Sequence, residues 1–163
     1  STTNVTKQDY SMQLCIVAIG KGRGSPETVL TQSWLSRLKP AGQIIEIESK
    51  LPAGPKRTED EAQRLLRAIP DGAALGVLDP RGKDYSSEEL AALIGGWRDE
   101  GFGSAFFAIG GADGHANILR QKANHTIALG RATWPHMLFR AMLAEQLYRA
   151  STILTGHPYH RDN

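Results

Sequence analysis

The sequence has a single cysteine, Cys15, among its 163 residues, so no internal disulfide can stabilise its fold. Cys15 lies within an apolar run, and we expect a small buried residue in a protein of the reducing cytoplasm. No apolar run reaches the roughly 18 to 20 residues that a membrane-spanning helix needs. Residues 1–11 are polar and lack the core of a signal peptide. We interpret them as a disordered extension or an expression remnant, and we expect a single domain over residues 12–163.

The sequence also has little net charge, +2 overall, but this charge is unevenly distributed. Residues 115–163 contain six lysines and arginines against two acidic residues, a net charge of +4, and the rest of the chain is at −2. All five histidines lie in the same segment: His115, His125, His136, His157 and His160. Such a surface either contacts a polyanion such as RNA or is simply solvated, and charge alone does not distinguish the two.

Short apolar runs alternate with amphipathic segments along the chain, and this pattern predicts an α/β domain. The sheet is expected to be largely parallel, with helices covering both of its faces. The predicted strands span residues 12–19, 43–47, 73–78, 104–109 and 126–129. Four predicted helices span residues 26–38, 59–69, 112–123 and 135–154. A fifth begins at Ser86 or Ser87.

A glycine-rich loop, residues 20–24, follows the first predicted strand and precedes a helix, as a dinucleotide-binding loop does. The G-x-G-x-x-G motif, however, requires glycine at the position that Ser25 occupies. Two interpretations stay open. The loop binds a nucleotide, as in a small flavodoxin-like protein, or it is a flexible turn whose two cations, Lys21 and Arg23, contact phosphate.

Three other loops follow predicted strands, at Leu78, at Gly110 and at residues 129–134. In open α/β sheets, ligands bind at the carboxyl ends of strands, where glycine allows the backbone to approach them closely. The pattern predicts a ligand site where these loops converge. The alternative is that each loop only reverses the chain.

The last predicted helix and the tail after it carry polar side chains at regular spacing. His136 and Arg140 are four residues apart, as are Glu145 and Arg149, so each pair shares one helical face. The tail, residues 156–161, reads GHPYHR. A solvated helix face and a frayed terminus are the alternatives. Because no second cluster of ligands accompanies the tail histidines, no metal site is predicted.

Four segments of the sequence resemble the ribosomal RNA large subunit methyltransferase H family of the SPOUT superfamily. They are LDPRGKDYSSEELA (78–91), FAIGGADG (107–114), ATWPHMLFRAMLAEQLYRA (132–150) and TGHPYHR (155–161). The resemblance implies a SPOUT-type sheet with a C-terminal deep trefoil knot. It also implies a homodimer, which agrees with the apolar residues around much of the last helix.

The same resemblance implies an enzyme that transfers a methyl group from S-adenosylmethionine to N3 of a pseudouridine in 23S rRNA. The assembled 70S ribosome is the favoured substrate, because so small a protein has little surface with which to recognise RNA alone. Neither DNA nor a membrane is expected as a partner. The alternative function is a non-catalytic RNA-binding or ribosome-assembly module that uses the same basic tail.

The resemblance assigns site residues to the loops and the tail. The expected cofactor residues are Leu78, Gly110, Leu129, Gly130, Arg131, Ala132, Thr133 and Trp134. Many relatives are serine-rich in the last loop where this chain has residues 128–131, so no serine hydroxyl contact is expected there. The candidate catalytic residues are His136, Glu145, Arg149, Tyr159, His160 and Arg161. Histidine suits the proton acceptor, arginine suits the imide oxygens or RNA phosphates, and Tyr159 could stack on a splayed base.

Overall fold

The computed structural model describes residues 11–111 and 117–161. Five strands alternate with five helices in this part of the chain. In chain order they are β1 (Gln13–Ile19), α1 (Pro26–Ser36), β2 (Gln43–Ile47), α2 (Pro55–Ala68), β3 (Ala74–Asp84), α3 (Ser87–Asp99), β4 (Ser104–Ile109), α4 (Asn117–Lys122), β5 (His125–Ala128) and α5 (His136–Thr155).

The five strands form one sheet in the order β2-β1-β4-β3-β5, and every neighbouring pair is parallel. Side chains that alternate along β1 and β4 enter two separate cores. Ile16 and Phe107 pack with residues of α1, α3 and α5, whereas Val17 and Phe106 pack with residues of α2 and α4. The prediction of an α/β fold with helices on both faces is therefore confirmed. Burial on both faces also explains why these strands are continuous apolar runs.

Strand β3 is longer than predicted, because it continues beyond Leu78 to Asp84. Leu78 and Lys83 both pair with Ile127 of β5, so the chain between them loops out and then rejoins the same ladder. Gly82 makes this possible. A Cβ atom there would lie 2.6 Å from the carbonyl of Thr126, which is closer than real atoms approach. The turn-forming residues 79–82 therefore interrupt the strand but do not end it.

The helix bounds also differ from the prediction. Helix α2 begins at Pro55 rather than at residue 59, since proline suits the first helical position, where no intrahelical N–H bond is required. A capping box between Ser86 and Glu89 settles the start of α3. Helix α4 begins at Asn117, and the first part of its predicted span, residues 112–116, lies outside the described residues, as do residues 1–10 of the proposed extension.

Helix α5 ends as predicted, with Gly156 in the left-handed conformation at φ +74°. Its apolar residues pack against α1 and α3 over the first core. Over residues 11–111 and 117–161, no helix has the length and apolarity needed to cross a membrane.

Candidate cofactor and substrate site

Three of the predicted cofactor segments lie side by side at the carboxyl edge of the sheet. Leu78 of β3 is in register with Ile109 of β4 on one side and with Ile127 of β5 on the other. Gly110 follows Ile109 directly, and the loop 129–134 follows β5. Adjacent strands are about 4.8 Å apart, so the structure brings these three segments into one site.

The loop 129–134 is fixed at its start and open beyond it. Gly130 is left-handed at φ +86°, and its N–H donates to Asp84 Oδ1 at 2.7 Å. The Ala128 carbonyl accepts from Tyr85 N–H at 3.0 Å. Residues 131–134 are exposed, including the Trp134 side chain. A ligand can therefore reach both the backbone groups and the indole of this loop.

Asp79 anchors the end of β3 beside Leu78, a role that the sequence analysis missed. Only 5% of Asp79 is exposed, and its carboxylate accepts the N–H of Arg81 at 2.9 Å. The guanidinium groups of Arg81 and Arg120 contact its Oδ2 at 3.1 and 3.3 Å. The hydrogen bonds from the Arg81 side chain, partly opposed by burial, lower the pKa of Asp79 to about 2. The carboxylate is therefore ionised at neutral pH and closes the bulge in β3.

Near the start of α5, Arg140 is 1% exposed, and its guanidinium donates four hydrogen bonds. Its Nε donates to His136 Nε2 at 3.1 Å, and its Nη1 donates to Glu46 Oε2 at 2.6 Å. Its Nη2 donates to the carbonyls of Ile19 and Gly20 at 3.1 and 3.0 Å. Arg140 thus ties the start of α5 to the carboxyl ends of β1 and β2.

These contacts determine the charges at this end of α5. Burial opposes ionisation of Glu46, but the hydrogen bond from Arg140 lowers the pKa of Glu46 overall. Burial, together with the charge of Arg140, lowers the pKa of His136 below its ordinary value. His136 is therefore neutral at pH 7, and its Nε2 is occupied by Arg140. The candidate proton acceptor at this position is engaged within the fold.

Four of the predicted catalytic residues form one network at the other end of α5. Glu145 Oε1 accepts from Arg149 at 2.6 Å and from the Tyr159 hydroxyl at 2.9 Å. Arg149 Nη1 lies 3.1 Å from His160 Nδ1, and His160 Nε2 lies 2.7 Å from Glu88 Oε1 on α3. The tail therefore packs against α5 and α3. Glu88 was not predicted, because it lies 72 residues away from His160 in the sequence.

The ring of Tyr159 is held within an aromatic cluster. It meets Tyr148 edge-on, with ring centroids 5.0 Å apart, and lies 6.0 Å from Trp34. The Arg149 guanidinium lies 4.9 Å from its centroid. Burial, and then the bond to Glu145, raise the pKa of the Tyr159 hydroxyl. Arg161 follows the cluster and is exposed.

The candidate catalytic residues thus fall into two groups within one chain. His136 lies beside the cofactor loops, while Glu145 is nine residues further along α5, about 13 Å at 1.5 Å per residue. Tyr159 and His160 pack at that far end. In one copy of the chain, the two groups therefore lie along different turns of α5.

An apolar groove of about 340 Å³ borders both groups. It lies between α1 and α5 and is lined by Leu30, Trp34, Leu129, Leu138, Phe139, Ala141, Met142, Glu145 and Gln146. Leu129 belongs to the predicted cofactor loop, and Glu145 belongs to the tail network. Val29, Leu30 and Leu138 are exposed large apolar residues on the same two helices. Among the described residues, no three histidine, cysteine or acidic side chains are placed to share a metal ion.

Comparison with known proteins assigns this chain to a class, the SPOUT methyltransferases. Residues 12–160 match the model of the family described as "Predicted SPOUT methyltransferase". Two solved structures show the same fold. A probable methylase family protein from Haemophilus influenzae Rd KW20 has a TM-score of 0.58 at 10% identity, over 93% of this chain and 71% of that one. A probable methyltransferase from Bordetella pertussis Tohama I has a TM-score of 0.55 at 14% identity, over 88% and 98%.

Full-length relatives narrow this class to one family. The ribosomal RNA large subunit methyltransferase H of Paramagnetospirillum magneticum is 48% identical over 151 residues, covering 92% of this chain and 99% of the relative. The protein of the same name from Paracoccus denitrificans is 49% identical over 159 residues, covering 93% and 100%. The chain belongs to the ribosomal RNA large subunit methyltransferase H family.

Proposed function

We propose that this chain transfers a methyl group from S-adenosylmethionine to N3 of a pseudouridine in the 23S rRNA of the assembled 70S ribosome. The observation that carries the proposal is the convergence of Leu78, Gly110 and the loop 129–134 at neighbouring strand ends. The names of the relatives, which specify methylation of large-subunit rRNA, support the substrate class.

The chemistry of these residues fits the proposed cofactor. The partly exposed Leu129 offers apolar surface above the buried Leu78, and the open loop from Gly130 to Trp134 offers backbone donors and acceptors for an adenine ring. Arg131 is exposed and suits the carboxylate of the methionine part. When bound, S-adenosylmethionine supplies an activated methyl group on a sulfonium, so neither a metal nor a covalent enzyme intermediate is required.

The proposed substrate is a weakly acidic imide, so the reaction must remove one proton from N3. The bond from N3 to the methyl carbon forms as the carbon–sulfur bond breaks, and the N3 proton passes to a base. We assign this base to His160. When Arg149 turns from His160 to an imide oxygen, Nδ1 of His160 accepts the N3 proton, and Glu88 stabilises the imidazolium through Nε2. Arg149 and the exposed Arg161 stabilise the developing negative charge.

The separation of the two groups along α5 supports a homodimer with shared sites. The groove between α1 and α5 joins the cofactor loop to the tail network, and its exposed apolar rim suits a second copy of the chain. In this arrangement the tail of one copy completes the active site of the other by supplying groups that meet the target base. His160, Arg149 and Tyr159 then meet the target base beside the partner's strand ends.

The deep trefoil knot is part of the same proposal. The segment of β3 beyond Leu78 runs against β5, with Gly82 at the Thr126 backbone and Asp84 bonded to Gly130. A knotted chain would bring residues 79–85 and 125–130 into such contact, and this supports the proposal. Experimental electron density that follows the chain through both segments tests the threading directly.

Methylation of ribosomes with labelled S-adenosylmethionine tests the function. The wild type is expected to label 23S rRNA in 70S ribosomes that lack the modification. A variant without residues 157–163 should bind the cofactor like wild type in calorimetry and transfer no label, because its cofactor loops are intact and its base is gone. Gly110→Arg should lose cofactor binding. Ribosome binding without transfer by the wild type would instead support the assembly-module alternative.

A further inference from the structure

The glycine-rich loop 20–24 takes no part in the site described above, yet it adjoins that site. Ala18 of β1 is in register with Ile109 of β4, so Gly20 lies about one strand spacing from Gly110 and Gly111. A Cβ atom on Gly111 would lie only 3.1 Å from the Ile19 side chain. The loop therefore borders the proposed cofactor site on the side away from β3 and β5.

Buried hydrogen bonds fix the loop in position. Arg140 donates to the carbonyls of Ile19 and Gly20, and the Gly22 N–H donates to Glu46 Oε2 at 2.5 Å. Glu46 in turn is held by the buried Arg140 guanidinium at 2.6 Å. Because a carboxylate occupies the Gly22 amide, the loop does not offer that amide to a nucleotide phosphate. This weakens the nucleotide-binding interpretation of the loop.

Unlike the Gly22 amide, the two charged side chains of the loop can reach a ligand, because Lys21 and Arg23 are both exposed. The loop contains no acidic residue, and the charge of the nearby Glu46 is compensated by Arg140. Lys21 Nζ lies 3.5 Å from the Glu46 carbonyl, and its charge also acts on the Glu46 carboxylate, although Arg140 is the main partner of that group. Two positive charges therefore face solvent from a fixed backbone.

Arg23 also has an unusual backbone conformation. Its φ is +50°, in the left-handed region, whereas Gly20 and Gly24 are the glycines that adopt such angles on either side. For a residue with a Cβ atom, the left-handed conformation raises the free energy of the folded state by roughly 1 kcal/mol or more, and for glycine it does not. The local fold thus favours glycine at this position, and what arginine adds there is a positive charge.

We propose that Lys21 and Arg23 bind phosphates of the rRNA backbone that flank the target nucleotide. This inference rests on the proposed rRNA substrate. A base placed at Gly110 has its neighbouring phosphates within reach of long side chains one strand away. Contacts of this kind position the nucleic acid and add salt-dependent affinity, without reading its sequence.

The test compares ribosome binding by wild type, Lys21→Gln, Arg23→Gly and the double variant over a range of KCl concentrations. Lys122→Gln is the matched control, since Lys122 is exposed at the end of α4, at the opposite edge of the sheet. We expect the double variant to bind about tenfold more weakly, with a log–log salt slope smaller by about 1.5. The turnover number, the cofactor affinity and the binding of the control should stay at wild-type values.

Arg23→Gly separates this role from a structural one. If Arg23 serves the fold, Arg23→Gly should lower the unfolding midpoint. If it serves RNA, the midpoint should stay or rise because the strained backbone is relieved, while ribosome binding weakens. Lys21→Arg, which keeps the charge, should keep the wild-type slope. An unchanged slope in the double variant overturns the inference, whether or not the wild type methylates. A wild type that binds through these cations without methylating overturns only the proposed reaction.

Discussion

Two arginines of helix α5 each pair with a glutamate at the same separation, but in different surroundings. Arg140 lies 2.6 Å from Glu46, and Arg149 lies 2.6 Å from Glu145. The Arg140 side chain is 1% exposed and is held by three elements of the fold, whereas 26% of the Arg149 side chain is exposed beside the tail. The distance between the charges therefore does not distinguish the roles of the two pairs. Burial and connectivity indicate that the first pair holds the fold and that the second can exchange its partners.

Arg140→Met gives the largest expected effect on stability. Removal of the buried guanidinium takes one donor from the partly exposed Glu46 and leaves the carbonyls of Ile19 and Gly20 without it, and each unsatisfied buried group costs about 1 to 3 kcal/mol. Urea unfolding at a fixed protein concentration measures the loss. Arg140→Met combined with Glu46→Gln should recover part of it. A loss of less than about 1 kcal/mol would contradict the structural role of this pair.

Arg149→Met is the matched substitution at the other end of the helix. The Arg149 pair is partly exposed, so the free energy of unfolding should change by less than about 1 kcal/mol. Methyl transfer to ribosomes should nonetheless fall about 100-fold, as for other groups that stabilise developing charge. Cofactor affinity should remain at the wild-type value. A variant with a near-wild-type rate shows that Arg149 is dispensable for the reaction.

Asp79 is a third carboxylate that is paired with arginine, and it is buried at the end of β3. Its pKa of about 2 in the folded state is below the 3.8 of the free side chain, so the stability that it contributes is present above pH 3.8. That stability is lost as the pH falls towards 2, and it amounts to about 2 kcal/mol. The difference in unfolding free energy between wild type and Asp79→Asn should shrink by this amount from pH 5 to pH 2. A difference that does not vary with pH would show that Asp79 is not held by its arginines.

The sequence predicted the sheet well, because strands buried on both faces are continuous apolar runs and the loops after them are rich in glycine. The extension of β3 could not be predicted. Asp79, Pro80 and Gly82 are turn formers, and only the pairing with β5 keeps the chain in the ladder beyond them. At this point the tertiary pairing with β5 overrides the local turn propensity of these residues.

The same limit applies to the candidate site. The pair Glu145–Arg149 was predicted, because residues four apart on a helix are neighbours. The acidic partner of Arg140 is Glu46, which lies 94 residues away, and no spacing rule identifies it. The contact between His160 and Glu88 is likewise a product of the folded chain. Sequence patterns supplied the candidate side chains and missed the distant partners that hold them.

Mixed dimers test the central claim, that the cofactor loops of one copy act with the tail of another. Subunits with Gly110→Arg are mixed in equal amounts with subunits that lack residues 157–163, and the dimers are allowed to exchange. Each parent is expected to be inactive on ribosomes. With shared sites, every heterodimer contains one intact site, so the mixture should regain about a quarter of the wild-type rate. A mixture that stays as inactive as its parents, although exchange is demonstrated, would contradict the account.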